Sequence, residues 1–220
     1  MSEKLLEIQA AVENGKAKQV AQLCQEALDA GENAADILNK AMIGAMSVVG
    51  TKFKNNEIFV PEMLIAARAM KKGVEVIAPA LKDAGAEPIG KLIIGTVAGD
   101  LHDIGKNLVA MMIEGAGFEV MDLGVDVPKE KFIETLEANP DVEVVALSAL
   151  LTTTMPAMKE AMEALQAYTA KTGRKLKVIV GGAPITQAYA DEIGADAYSE
   201  DAAGAAEVAK QVLADLKAGK

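Results

Sequence analysis

The stretch Lys91-Leu92-Ile93-Ile94-Gly95-Thr96-Val97, followed after Ala98 by Gly99-Asp100-Leu101-His102-Asp103-Ile104-Gly105, decides the fold. The first part is a continuous apolar run of strand length, the signature of a parallel strand buried on both faces. The second is a polar, glycine-flanked turn. It leads into Lys106-Asn107-Leu108-Val109-Ala110-Met111-Met112-Ile113, whose apolar spacing predicts a helix. A strand, a polar turn and a helix make half of a βα unit, and open α/β sheets bind ligands in such turns. His102, the chain's single histidine, lies in this one, two residues after Asp100.

Outward from that turn the same grammar repeats. Strands are expected at 91–97, 118–123, 142–148, 176–180 and 196–199, and helices at 104–115, 128–138, 155–171, 184–193 and 202–217. Five βα units predict a parallel sheet wrapped on both faces. Pro128, Pro156 and Pro184 fall at or near helix starts, where a missing N–H costs least. The carboxyl ends of the strands share one edge, which collects Asp100 to Asp103, then Ser148, Leu150 and Thr152, then Gly181-Gly182, then Tyr198 to Ala202. A flavodoxin-like order 2-1-3-4-5 is preferred because it sets the two most polar turns, after strands one and three, side by side at the switch point.

Upstream, the grammar is helical throughout. Leu5, Ile8 and Val12 mark a first helix ending at Asn14-Gly15, and Val20, Leu23, Ala27 and Leu28 a second ending at Gly31. Ile37 to Val49 mark a third, closing near Gly50. Pro61 opens a fourth that continues through Leu64, Ala67, Met70, Val74, Ile77 and Leu81. Four such helices with short turns predict an all-α bundle. Asp83 to Gly90, with its Pro and Gly, reads as a linker, so the expected domains are 1–88 and 89–220.

Bulk composition narrows the function. With 22 basic and 32 acidic residues the net charge is -10, which argues against nucleic acid as a partner. No apolar stretch reaches membrane-spanning length, and the first residues lack the pattern of a secretory signal. Cys24 is the only cysteine, so neither a disulfide framework nor a thiolate metal cluster is available, and a reducing cytoplasm is the expected compartment. On an apolar helix face beside Leu23 and Leu28, Cys24 reads as a buried structural thiol.

The chemistry of the His102 turn leaves several roles open. A lone histidine is ordinarily a surface residue or a satisfied hydrogen-bonding side chain. Asp100 adds another role, since a carboxylate holding one imidazole nitrogen leaves the other free for a metal. One histidine with no thiolate partner cannot build a protein-only zinc site, so a metal here would arrive with most of its coordination filled, as in a macrocycle. Acid–base catalysis is the competing role. Gly95, Gly99 and Gly105 do not make a phosphate-binding pattern, and they and Gly181-Gly182 read as positions that let backbone approach a bulky ligand. A phosphorelay receiver would need an Asp where Ser148 stands. A flavin site would give His102 no task, and no Trp is present to stack on a flavin.

Asp100-x-His102-x-x-Gly105, Ser148-x-Leu150 and Gly181-Gly182 together resemble the D-x-H-x-x-G, S-x-L and G-G signature of cobalamin-binding domains. Phe53 to Met63 resembles the helical cap module of methionine synthase, so the resemblance spans nearly the whole chain. In size and organisation the chain is similar to the stand-alone corrinoid proteins of methyltransferase systems that handle methanol, methylamines, quaternary amines or methoxylated aromatics. The resemblance implies cobalamin or a related corrinoid as cofactor, in its methylcobalamin and cob(I)alamin forms, with His102 as the cobalt ligand. It implies that Asp100 holds His102 and that Ser148 extends this network. The Gly99, Leu101, Asp103, Ile104 and Gly105 positions complete the loop. Ser148, Leu150, Thr152, Gly181, Gly182, Tyr198 and Ala202 would line the pocket for the released nucleotide tail, and Phe53 and Val60 would shield the upper face.

The implied function is a methyl carrier, a subunit rather than a complete enzyme. Its expected partners are a donor-specific methyltransferase and an acceptor methyltransferase, with a reductive activase as a further one. A cobalamin-dependent sensor is the alternative.

Overall fold

A computed structural model describes residues 1–83 and 88–219. They divide into two compact units, Met1–Ile89 with Glu114–Gly117, and Gly90–Ile113 with Phe118–Lys220. Half of the expected linker, at 84–87, lies outside the described residues.

The first unit is helical. It comprises α1 (Glu3–Glu13), α2 (Ala17–Asp29), α3 (Ala34–Asp36), a π-helical stretch (Ile37–Ile43), α4 (Gly44–Lys54) and α5 (Val60–Asp83). Ser2 and Asn33 cap the first and third helices through side-chain oxygens, as short polar side chains do at helix starts. The predicted third helix is longer than its apolar pattern suggested. It begins at Ala34 and passes Gly50, which is buried inside it, to stop at Asn55-Asn56. Asn56 takes a left-handed φ of 58°, a conformation that Asn tolerates and that ends a helix. Ile8, Val12, Val20, Ile37, Met42, Met63 and Ile77 form the interior of this unit. α2 packs closely on α5 at Gly73, where a Cβ would lie 2.8 Å from Val20 Cγ1. Cys24 is fully buried beside Met42, and burial pushes its thiol up to about 11, which makes it inert at neutral pH.

The second unit is a five-stranded parallel sheet in the order β2-β1-β3-β4-β5, as expected. Its strands are β1 (Lys91–Thr96), β2 (Glu119–Asp122), β3 (Val142–Ser148), β4 (Lys177–Gly181) and β5 (Ala197–Ser199). The intervening helices are α6 (Ile104–Gly115), α7 (Lys129–Ala138), α8 (Met155–Thr172) and α9 (Gln187–Ile193), and α10 (Ala202–Lys217) closes the chain. α9 starts later than Pro184 suggests because Thr186 caps it, accepting from Tyr189 N.

β1 and β3 are buried along nearly their whole lengths, which explains their unbroken apolar runs. Ile93, Val97, Val145 and Leu147 pack with Phe132 and Leu136 of α7 and Met158 and Leu165 of α8. The register places Thr96 beside Ser148, Ser148 beside Gly181, and Gly181 beside Ser199. One row across the sheet edge therefore carries all four candidate turns. No helix among the described residues is long and apolar enough to cross a membrane.

Candidate corrinoid-binding site

β1 ends at Thr96, and the chain turns through Gly99, whose φ of 80° suits glycine. This turn drops Asp100 into the sheet edge, where it is fully buried. A buried carboxylate needs its oxygens satisfied, and here four donors do so. Asp100 Oδ1 accepts from His102 N at 3.1 Å and pairs with His102 Nδ1 at 2.7 Å. Oδ2 accepts from Leu150 N at 2.7 Å and from Thr154 Oγ1 at 2.8 Å.

Burial by itself would raise the Asp100 pKa. The hydrogen bonds from Leu150 N, the His102 ring, Thr154 and His102 N outweigh it and hold the carboxyl well below the usual carboxylate range. An ionised carboxylate only accepts, so Nδ1 must carry the proton facing it. In the neutral ring the Nε2 lone pair is then open.

The His102 side chain is half exposed, at 50%, so that lone pair is accessible. It is flanked by Leu101 and Ile104, which are 72% and 78% exposed. An exposed imidazole between two exposed aliphatic side chains suits a large flat ligand with an apolar surface. Among the described residues no group of three His, Cys, Asp or Glu side chains could hold a metal ion. One directed imidazole nitrogen therefore fits a metal that brings its other ligands, as a corrinoid does.

The other predicted positions divide by what they touch. Leu150 contributes its backbone N–H to Asp100 and leaves its side chain partly exposed. Ser148 sits half-buried at the end of β3, with its carbonyl accepting from Val97 N at 3.0 Å. The hydroxyl that extends the network is not the expected Ser148 but Thr154, which is 5% exposed and reaches back from the short helical turn Thr152–Thr154. Thr152 itself is exposed. Asp103 starts α6: its carbonyl accepts from Asn107 N at 2.7 Å and its carboxylate from Asn107 Nδ2 at 3.3 Å. Around Gly105 there is open space.

Gly182, with φ of 130°, has no room for a side chain, since a Cβ there would lie 1.8 Å from Ala149 O. It lets the β3 and β4 turns close on one another. Tyr198 is half-buried and Ala202 buried at the start of α10, where Asp201 caps the helix by accepting from Gly204 N at 2.7 Å. Phe53, half-buried on α4, and Val60, 37% exposed at the start of α5, belong to the helical unit.

Thr96, Asp126 and the Lys106–Asp122 pair also bear on the His102 loop, and no local pattern in the sequence ties them to it. Thr154 is the last of three consecutive threonines, with nothing local to distinguish the buried one. Asp126 lies in an ordinary-looking strand-to-helix turn.

Comparison with known proteins agrees with this geometry. Two family models, each described as a B12 binding domain, match residues 90–207 and 5–78. Trimethylamine corrinoid protein 2 of Methanosarcina mazei is 45% identical over 202 residues, covering 90% of this chain and 89% of that protein. A corrinoid protein of Desulfitobacterium hafniense is 39% identical over 210 residues, covering 94% and 96%. Among solved structures, the methanol:cobalamin methyltransferase complex of Methanosarcina barkeri matches with a TM-score of 0.82 at 29% identity, over 97% of this chain and 80% of that one. A cobalamin-binding protein of Desulfitobacterium hafniense matches with a TM-score of 0.77 at 31% identity, over 94% and 97%. The chain therefore belongs to the corrinoid proteins built from B12 binding domains, and its cofactor is a corrinoid.

Proposed function

We propose that the chain is a methyl-carrier corrinoid protein, a subunit working between two methyltransferases. A donor-specific methyltransferase would load it from methanol, a methylamine, a quaternary amine or a methoxylated aromatic, and an acceptor methyltransferase would unload it. A reductive activase and a cytoplasmic setting belong to the same reading. Relatives named for trimethylamine and dimethylamine support the methylamine class of donor.

The observation that carries the reading is the His102 imidazole, pinned at Nδ1 by a buried, fully hydrogen-bonded carboxylate and open at Nε2. When bound, the corrinoid supplies the metal that takes up the methyl group and gives it away. His102 Nε2 would hold the cobalt, and Asp100 would orient the ring and set its basicity through the Nδ1 proton. Leu150 N and Thr154 Oγ1 hold Asp100 in turn. Gly99, Leu101, Ile104 and Gly105 would shape the loop that receives the corrinoid. Ser148, Thr152, Gly181, Gly182, Tyr198 and Ala202 border the space for the nucleotide tail. Phe53 and Val60, of the helical unit, would contribute the cap that shields the methyl group.

The test pairs two measurements on the full chain. His102→Ala should still fold, yet bind hydroxocobalamin at least about tenfold more weakly and without the spectrum of an imidazole-bound cobalt, the loss expected on removing a metal ligand or its support. Unchanged affinity and spectrum would refute the ligand assignment. Methylation of the reduced holoprotein by a donor and its methyltransferase supports the carrier function. A light- or adenosyl-dependent change of oligomeric state without methyl transfer would favour a sensor instead.

A further inference from the structure

Asp126 has φ of 52°, a left-handed conformation uncommon for a residue with a side chain. It stands in the turn between β2 and α7, exposed to solvent, and is spent on two reciprocal bonds to a loop 27 residues away in sequence. Its Oδ1 accepts from Gly99 N at 2.7 Å, and its own N–H donates to Asp100 O at 2.9 Å.

At the other end of the turn, Asp122 Oδ1 accepts from Gly124 N at 2.8 Å while Oδ2 pairs with Lys106 Nζ. The Lys106 side chain is 1% exposed. It lies in the first turn of α6, where the helix dipole opposes a cation, and the charge is met by Asp122, with Asn107 Oδ1 as a neutral second acceptor. Between these ends, Gly124 O accepts from Thr96 N at 3.0 Å, and Thr96 Oγ1 donates to His102 O at 2.9 Å. One turn, 122–126, thus grips the His102 loop before the histidine, beneath it and after it.

We propose that Asp126 and Asp122 are positioning residues that fix the backbone from which His102 reaches its ligand. The Asp126 carboxylate acts through the main-chain N–H of Gly99, and the Asp122 carboxylate through the side-chain ammonium of Lys106 at the start of α6. The consequence for ligation rests on His102 being the cobalt ligand, whereas the consequence for the ring in the ligand-free protein does not.

Three variants separate the side-chain acceptor from the backbone conformation. Asp126→Asn keeps an oxygen acceptor and tolerates the left-handed φ, Asp126→Gly keeps only the φ, and Asp126→Ala keeps neither. Two readouts are taken. One is the 15N spectrum of the His102 ring in ligand-free protein; the other is the visible spectrum of the full chain loaded with hydroxocobalamin, which distinguishes imidazole-bound from water-bound cobalt.

Asp126→Asn should match the wild type. Asp126→Gly and Asp126→Ala should broaden or shift the ring signals and reduce the ratio of imidazole-bound to water-bound cobalt about fivefold, as loss of one hydrogen bond implies. Wild-type behaviour of Asp126→Gly in both readouts would overturn the proposal. If Asp126→Ala fails to fold by circular dichroism, Asp126→Gly carries the comparison. Asp122→Asn should repeat the ring-signal change from the other end of the turn, and unchanged ring signals there would remove Asp122 from it. Should His102→Ala leave the cobalamin spectrum unchanged, the ligand assignment falls while the ring signals still decide the positioning role.

Discussion

Asp100–His102 and Asp122–Lys106 are carboxylate–base pairs whose bases stand four residues apart in the chain, and they are inverted in burial. In the first, the carboxylate is fully buried and the imidazole half exposed; in the second, the ammonium is 1% exposed and the carboxylate 38%. In the first pair a buried carboxylate holds an exposed base, and in the second a partly exposed carboxylate holds a buried one. His102 is thus presented, while Lys106 is an anchor. What distinguishes them is which member of each pair is buried.

The sharpest way to break the comparison is to delete the buried member of the first pair. Asp100→Ala strips His102, Leu150 N and Thr154 of their shared acceptor. Urea unfolding should show a loss of about 3 kcal/mol, the range for breaking a buried pair, together with loss of the imidazole-bound cobalamin spectrum.

The second pair should respond asymmetrically. Among the described residues, Asp122→Ala leaves a buried ammonium with Asn107 Oδ1, at 2.6 Å, as its remaining partner. It should cost about 2 kcal/mol, less than a fully buried pair because Asp122 is partly solvated. Lys106→Met, which fills the same space without a charge, should cost under about 1 kcal/mol by the same logic. Equal losses would erase the distinction between anchor and presented base.

Acid titration probes the first pair without a large perturbation. The Asp100 carboxyl titrates below its unfolded value of about 3.9. It therefore contributes its full stability above that value and loses it as pH falls through the lower native one. Unfolding free energy measured from pH 6 to pH 2.5 should drop more steeply for the wild type than for Asp100→Asn. Parallel limbs would mean that the carboxylate is not held as its bonds indicate.

The smallest effect concerns the third member of the network. Thr154→Val removes one of the two bonds to Asp100 Oδ2 and should cost about 1 kcal/mol. Ser148→Ala, which touches no part of that bond set, should stay within about 0.5 kcal/mol. The reverse order would reinstate Ser148.

Much of this architecture was legible because its signals are local. The apolar run at Lys91 to Val97 required a strand buried on both faces, and its alternation with helical periods required a parallel sheet. Preferring to set the two polar turns together also yielded the observed strand order. Asp100 and His102 are two residues apart, so their pairing was readable from spacing alone. The end of α4 was misjudged because Gly50 looked like a stop, whereas a buried helix position accepts glycine and Asn55-Asn56 ends the helix.

The sequence by itself determined the helical and α/β halves, the strand edge that carries the turns, and the single imidazole that excludes a protein-built metal cluster. Only the tertiary structure decided which hydroxyl completes the Asp100 network, what Gly182 makes room for, and which distant turn braces the loop. Thr154, Ala149 and Asp126 meet their partners across 54, 33 and 27 residues. The physical reason is that hydrogen bonds and close contacts across strands depend on register and burial, which no local pattern of residues encodes.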